Sequence, residues 1–183
     1  MSRRERITDE LLVLGCQEGD VTAFARLVDR WQQRLWRHAW RLTGNEEAAW
    51  DAVQEAWIGI ARDIGKLEDA VAFSAWAYRV TGNKCRDWIR REQRRRRADV
   101  TYSDRQQNSQ DESQAVRQRC ESVNQALELL SGRDRAILSL KYLDGFDTAR
   151  IAEIMDVPPG TVKSRLFYAR QRLRDLMEDI PDD

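Results

Sequence analysis

Proline, cysteine and histidine are scarce in this chain, and long apolar runs are missing. Three prolines occur, at positions 158, 159 and 181, so nothing before residue 158 removes a backbone donor from a helix. Cys16, Cys85 and Cys120 are far apart, odd in number and without a CxxC spacing, which argues against a disulfide framework. The single histidine, His38, leaves no Cys/His cluster for zinc and no Cys/His nucleophile pair. Neither a metal, a cofactor nor a catalytic activity is expected. No stretch approaches the 18 or so apolar residues of a membrane span, and the opening "MSRRERITDELLVLG" lacks a signal-peptide core. A soluble, cytoplasmic protein with no direct membrane insertion is expected.

Net charge of one sign is lacking too. Thirty-one Lys and Arg balance 31 Asp and Glu, and the pI is about 6.6. The balance hides a segregation. Residues 84–97, "KCRDWIRREQRRRR", carry eight cations against Asp87 and Glu92, whereas the tail "EDIPDD" is acidic. Such a block is either a solvated helix end or a polyanion contact, and charge alone leaves both open.

The periodicity is helical throughout, with little β-branched alternation. Residues 7–16 form a short helix that Gly19-Asp20 interrupts. From Thr22, apolar residues recur at threes and fours through Phe24, Leu27, Trp31, Leu35 and Leu42, stopping at Gly44. Asn45 caps a helix running to about Ile64, "KLEDAVA" reads as a loop, and Phe73 starts a long helix into the arginine run. Residues 98–117 are rich in Ser, Gln and Asp and poor in large apolar residues, the composition of a flexible linker. Periodicity then resumes around Leu127, Leu130 and Ile137–Leu143, and "DTARIAEIM" gives a short helix before a turn at 156–160. The expected fold is all-α: two small helical domains, 1–97 and 118–183, which the linker 98–117 keeps structurally separate.

Three surfaces carry chemistry. The stretch "VPPGTVKSRLFYARQRLRDL" buries Val162, Leu166, Ala169, Leu173 and Leu176 along one stripe, by a helical wheel. Its other face carries Lys163, Ser164, Phe167 and Tyr168, and it follows a short helix and a Pro-Gly turn. That is a helix-turn-helix pattern, whose second helix approaches base edges. An ordinary bundle with a solvated last helix is the bland alternative. On the helix from Phe73, Arg79, Asn83, Arg86 and Arg90 form one stripe with Trp76 beside it. Cations for phosphates, an amide for a base edge and a ring for stacking suit opened or single-stranded DNA. Pairing of Asp87 with Arg90 or Arg91 would make part of that set structural. On the helix 45–64, Asp51, Gln54 and Glu55 cluster near Trp50. An acidic-amide patch repels DNA, so it fits either a basic protein partner or plain solvation.

Taken in order, these segments resemble the bacterial extracytoplasmic-function sigma factors of RNA polymerase, over nearly the whole chain. "ELLVLGCQEGDVTAFARLVDRW" resembles the family's opening, and "AWDAVQEAW" its segment that binds the polymerase clamp. "AWAYRVTGNKCRDWIRR" resembles the segment that opens and reads the −10 element, and "IAEIMDVPPGTVKSRL" the −35-reading helix-turn-helix. The resemblance implies a region-2-like domain at 1–97 and a region-4-like domain at 118–183. It implies that Asp51, Gln54 and Glu55 hold the clamp helices of the largest subunit of core RNA polymerase, with the flap region a further contact. The loop from Lys66 to Ala72 would capture a flipped −10 base, supported by Trp76, Arg79, Asn83, Arg86 and Arg90. Lys163, Ser164, Phe167 and Tyr168 would face the −35 major groove, while Thr161, Arg165 and Arg170 fix phosphates or the helix itself. An anti-sigma factor is the implied inhibitor.

The chain departs from the family pattern at four positions. Trp50 stands in place of an acid, Ser131 of a proline, Arg150 of a Glu that makes an internal ion pair, and Tyr168 of an Arg on the reading face. Two other classes compete with the resemblance: a stand-alone helix-turn-helix regulator acting as a dimer, and a single-strand-binding module carried by the arginine run. The first leaves the Asp51 face without a use. The second leaves the helix-turn-helix unexplained.

Overall fold

Short polar side chains begin most of the helices. Asp20 accepts from the Thr22 and Ala23 amides, Asn45 from Ala48, Ser131 from Asp134 and Asp147 from Arg150, each satisfying donors that a first helical turn leaves open. The computed structural model describes residues 3–98, 126–127 and 129–178, and their regular structure is entirely helical. The helices are α1 (Arg3–Gln17), α2 (Val21–Thr43), α3 (Glu46–Asp63), α4 (Phe73–Ala98), α5 (Gly132–Tyr142), α6 (Thr148–Met155) and α7 (Pro159–Glu178). The segment expected as a loop before Phe73 holds two single 3₁₀ turns, Ile64–Lys66 and Ala70–Ala72. The linker expected at 98–117 lies, from residue 99 on, outside the described residues.

In the first half, α1 to α4 close around Trp31, which is 1% exposed. Phe73 and Tyr78 meet its ring edge-on at 5.4 and 6.2 Å, a favoured aromatic geometry. Ala48, Ala49, Ala52 and Ala56 are all buried on one side of α3. Small side chains there let α2 and α4 approach it closely. In the second half, Ile137 and Leu140 of α5, Ile151 and Ile154 of α6, and Val162, Leu166 and Ala169 of α7 form the core. The apolar stripe expected on α7 is buried at its first three positions and partly buried at Leu173 and Leu176. Arg172 ties α7 to α5 through the buried Asp134 at 2.6 Å.

The halves are not kept apart as expected. Helix α6 packs on α4 and α5 packs on α2, so buried residues of both halves form one continuous apolar cluster. Periodicity within each half could not foresee this, because the residues that join them (Tyr78, Phe146, Gly132) sit singly in their own segments.

Candidate nucleic-acid and partner interfaces

Helix α3 buries its alanine side, so its opposite side must face water. Asp51, Gln54 and Glu55 are all exposed there, as one patch. Glu55 pairs with Lys84 of α4 at 3.1 Å, which leaves Asp51 the less neutralised carboxylate. Ile58 lies one turn further along the same face and is 70% exposed. Sequence reading missed it. An isoleucine at a helical spacing looks like core until the alanine face is seen to take that role. The departure at Trp50 also finds a structural place: its ring lies 5.6 Å from Trp36, which stacks on Trp40 at 6.2 Å with planes 8° apart. The patch therefore continues from acid and amide onto an aromatic plate on α2.

The loop that follows α3 is pinned from α1. Gln17 donates to the carbonyls of Ile64 and Leu67 at 3.1 and 2.7 Å, and Asp69 accepts from the Val71 amide. Gln17 carries no sequence signal for this role, since its partners lie some fifty residues away. Hydrogen bonds from Arg62 and Lys66 hold the partly exposed Asp63 carboxyl down at about 2. A groove of about 480 Å³ runs between this loop, α3 and α4, lined by Ile58, Trp76 and Asn83, by the cations Arg62, Lys66 and Lys84, and by the carboxylates Glu55, Asp63 and Asp87. The structure thus brings Lys66, Trp76 and Asn83 to one groove.

The arginines of the stripe turn to its other flank. Arg79 reaches Asp156 at 3.4 Å. Arg86 donates to Asn83 and is half-buried, and burial lowers its basicity while Asp156 raises it. Arg90 is exposed, 3.7 Å from Asp87, as the structural alternative for part of the set anticipated. Arg86 and Arg90 line a second cleft, of about 770 Å³, with Arg133 and Arg165 of the second half. The expected single stripe is therefore split between two grooves.

In the helix-turn-helix, Asp147 caps α6 and Asp156 ends it in the left-handed region at φ 55°. Pro159 opens α7 at the position where its fixed φ and missing donor cost nothing. Lys163 and Ser164 are exposed, and Phe167 and Tyr168 are 54% and 57% exposed with rings 5.4 Å apart. The Ser164 hydroxyl donates to the Thr161 carbonyl. Arg165 and Thr161 are half-buried. Arg170 is exposed, donating to the Leu166 carbonyl at 3.2 Å and reaching the Tyr142 hydroxyl at 3.4 Å. Arg150 makes a new pair, with Glu153 at 2.9 Å.

Residues 27–95 match the Sigma-70 region 2 family and residues 120–173 match Sigma-70, region 4. The chain is 30% identical over 190 residues to the ECF RNA polymerase sigma-E factor of Escherichia coli (strain K12), covering 96% of this chain and 97% of that one. This chain belongs to the ECF sigma factors. It is 28% identical over 175 residues to SigW of Bacillus subtilis (strain 168), covering 90% of this chain and 94% of that one. Its fold is similar to that of CnrH solved in complex with the cytosolic domain of CnrY, with a TM-score of 0.67 at 22% identity, covering 95% of this chain and 99% of that one. It is equally similar to RpoE from Bartonella quintana, solved with the anti-sigma factor NepR: 0.67 at 23% identity, covering 88% and 100%.

As a sigma factor, the protein binds core RNA polymerase and directs initiation at specific promoters. The reading as a stand-alone helix-turn-helix regulator is not favoured. No helix among the described residues is long and apolar enough to cross a membrane. Nor does any group of three or more His, Cys, Asp or Glu among them form a metal site.

Proposed function

We propose that the three surfaces divide the work of initiation along the chain. Asp51, Gln54 and Glu55 hold the clamp helices of the polymerase's largest subunit, with domain 1–97 as the unit that carries them. Lys66, Trp76 and Asn83 receive an opened −10 strand, and Arg79, Arg86 and Arg90 follow its phosphates. In domain 118–183, Lys163, Ser164, Phe167 and Tyr168 read the −35 major groove, and Thr161, Arg165 and Arg170 hold phosphates or the helix. The flap region of the polymerase contacts that second domain. No catalytic step falls to this chain, and it acts in the cytoplasm. The observation that carries the reading is the exposed acidic-amide patch on α3 lying next to a groove with cation, ring and amide. The patch repels DNA, whereas the groove sets a ring and an amide beside cations, the groups that suit an opened strand. The similar CnrH and RpoE structures are complexes with CnrY and with an anti-sigma factor, which supports an anti-sigma partner for this chain.

Run-off transcription by purified core polymerase on a promoter library, with and without the protein, tests this. Initiation at a defined subset of promoters is expected only when the protein is added. Asp51→Arg with Glu55→Arg should remove both core binding and run-off product, because like charges then meet a basic surface at a cost of several kcal/mol. Folding should persist, since both side chains are exposed. A double variant that still co-purifies with core and transcribes refutes the assignment of this face.

A further inference from the structure

Three tryptophans with no part in either promoter-reading surface meet where α2 ends and α3 begins. The Trp36 and Trp40 rings lie 6.2 Å apart with planes 8° from each other, and the Trp50 ring lies 5.6 Å from Trp36. The spacing builds this plate. Trp36 and Trp40 stand one turn apart on α2, and the turn at Gly44, with φ 64°, folds the start of α3 back beside them. Large rings are unfavourable to leave in water, yet Trp40 is 41% exposed, and Trp36 and Trp50 are only half-buried.

Carboxylates rim the plate. Glu46 and Glu47 stand one turn before Trp50 on α3, Asp51 follows it and Gln54 lies one turn beyond, all exposed. Among the described residues Glu46, Glu47 and Asp51 have no ion-pair partner, whereas Glu55 has Lys84. Nor does any described cation lie over the three rings. The guanidinium that does sit on a ring, Arg34, is on Trp31 at 5.2 Å, and Arg37 of α2 acts on Asp144 instead. An open π face beside unpaired carboxylates is the set that holds a guanidinium: a ring takes its plane and a carboxylate its N–H fork. The same carboxylates turn nucleic acid away.

We propose that the tryptophan plate receives an arginine side chain of the polymerase clamp, so that Trp40 and Trp50 extend the core-binding face of Asp51, Gln54 and Glu55. This rests on the assignment of that face to the clamp. Two observations select this occupant. The plate runs into the patch through the adjacent Trp50 and Asp51, and its unpaired carboxylates call for a basic partner. Trp50 stands where the family pattern has an acid, and both groups attract a cation, by different means. An exposed ion pair is screened by salt. A ring stacked on a guanidinium also removes apolar surface from water and keeps its hold as salt rises. Core binding by this chain therefore persists at salt concentrations that loosen a purely ionic patch.

The affinity of the full-length chain for purified core polymerase tests this, measured at about 0.1 M and about 0.5 M salt, between which the Debye length roughly halves. Trp40→Leu and Trp50→Leu keep an apolar side chain but remove the π face, and each should weaken binding about fivefold at both salts. Trp40→Phe, which keeps a ring, should retain most of the affinity. Trp50→Glu should bind as wild type does at the lower salt and about fivefold more weakly at the higher. Thermal melts check the fold, and the exposed Trp40 decides the matter should the Trp50 variants unfold. Leucine variants that bind as tightly as wild type overturn the proposal. So does a Trp40→Phe chain as weak as Trp40→Leu, or a Trp50→Glu chain with the salt dependence of wild type. Asp51→Arg with Glu55→Arg separates the two assignments. If that variant loses core while the leucine variants keep it, the clamp reading stands and only the arginine site is lost; if none of them loses core, both fail.

Discussion

At the scale of single residues, His38 is a polar group enclosed by the core. It is 2% exposed, its Nδ1 has no hydrogen-bond partner, and it lies 4.9 Å from the Tyr78 ring. Burial first, then Arg41 and Arg86, push its pKa from 6.5 down to about 3. The unfolded chain therefore takes up a proton that the folded chain refuses. The stability this provides is complete above about 6.5 and is lost as pH falls toward 3, by roughly 1 kcal/mol per pH unit. Urea unfolding at pH 7 and pH 5 should show that slope in wild type and a shallower one in His38→Gln; equal slopes would mean His38 is protonated in the fold. Other residues were legible at this scale only in part. Asp51, Gln54 and Glu55 were read correctly as exposed, because charge and period agreed. Ile58 and Gln17 were not singled out, because their roles depend on which neighbour buries the facing side.

At the scale of elements, the helix boundaries followed from local chemistry and came out within a few residues. Asp20, Asn45 and Gly44 mark their ends in any context, and the 3₁₀ turns after α3 were invisible because three-residue turns have no period to detect. Helix α7 is where the sequence pattern and the structure agree most fully, since its buried and exposed faces separate cleanly. Leu166 is 7% exposed in the core and Tyr168 is 57% exposed. Leu166→Ala should destabilise the second half by about 2–5 kcal/mol through the cavity it leaves. Tyr168→Arg should leave stability unchanged and shift the preferred −35 sequence by about 1–3 kcal/mol at one or two positions. A guanidinium can bond guanine O6 and N7 together, whereas a phenol donates once. Selection from a randomised −35 library measures the second effect and chemical denaturation the first. An unchanged sequence preference in Tyr168→Arg would remove this face from base reading.

At the scale of the whole molecule, sequence reading divided the chain rightly into two helical halves but set them apart, and the difference is physical. A linker composition says only that a segment cannot bury much surface of its own, not whether the units it joins prefer each other. That preference is written in Gly132, which admits α5 to the end of α2, and in Phe146, which reaches Tyr78 across the seam. Because buried residues of both halves belong to one apolar cluster, unfolding either half exposes surface of the other. Heat unfolding of the full-length protein should therefore be a single cooperative transition, with calorimetric and van't Hoff enthalpies in agreement. Gly132→Ala should divide it into two transitions, since each half keeps its own core but loses its partner. The first half, with Trp31, Phe73 and Tyr78 at its centre, buries more large side chains than the second and should melt at the higher temperature. Trp31 lies within that half, so fluorescence should follow the upper transition. Two transitions already present in wild type would show that the seam couples the halves too weakly to matter.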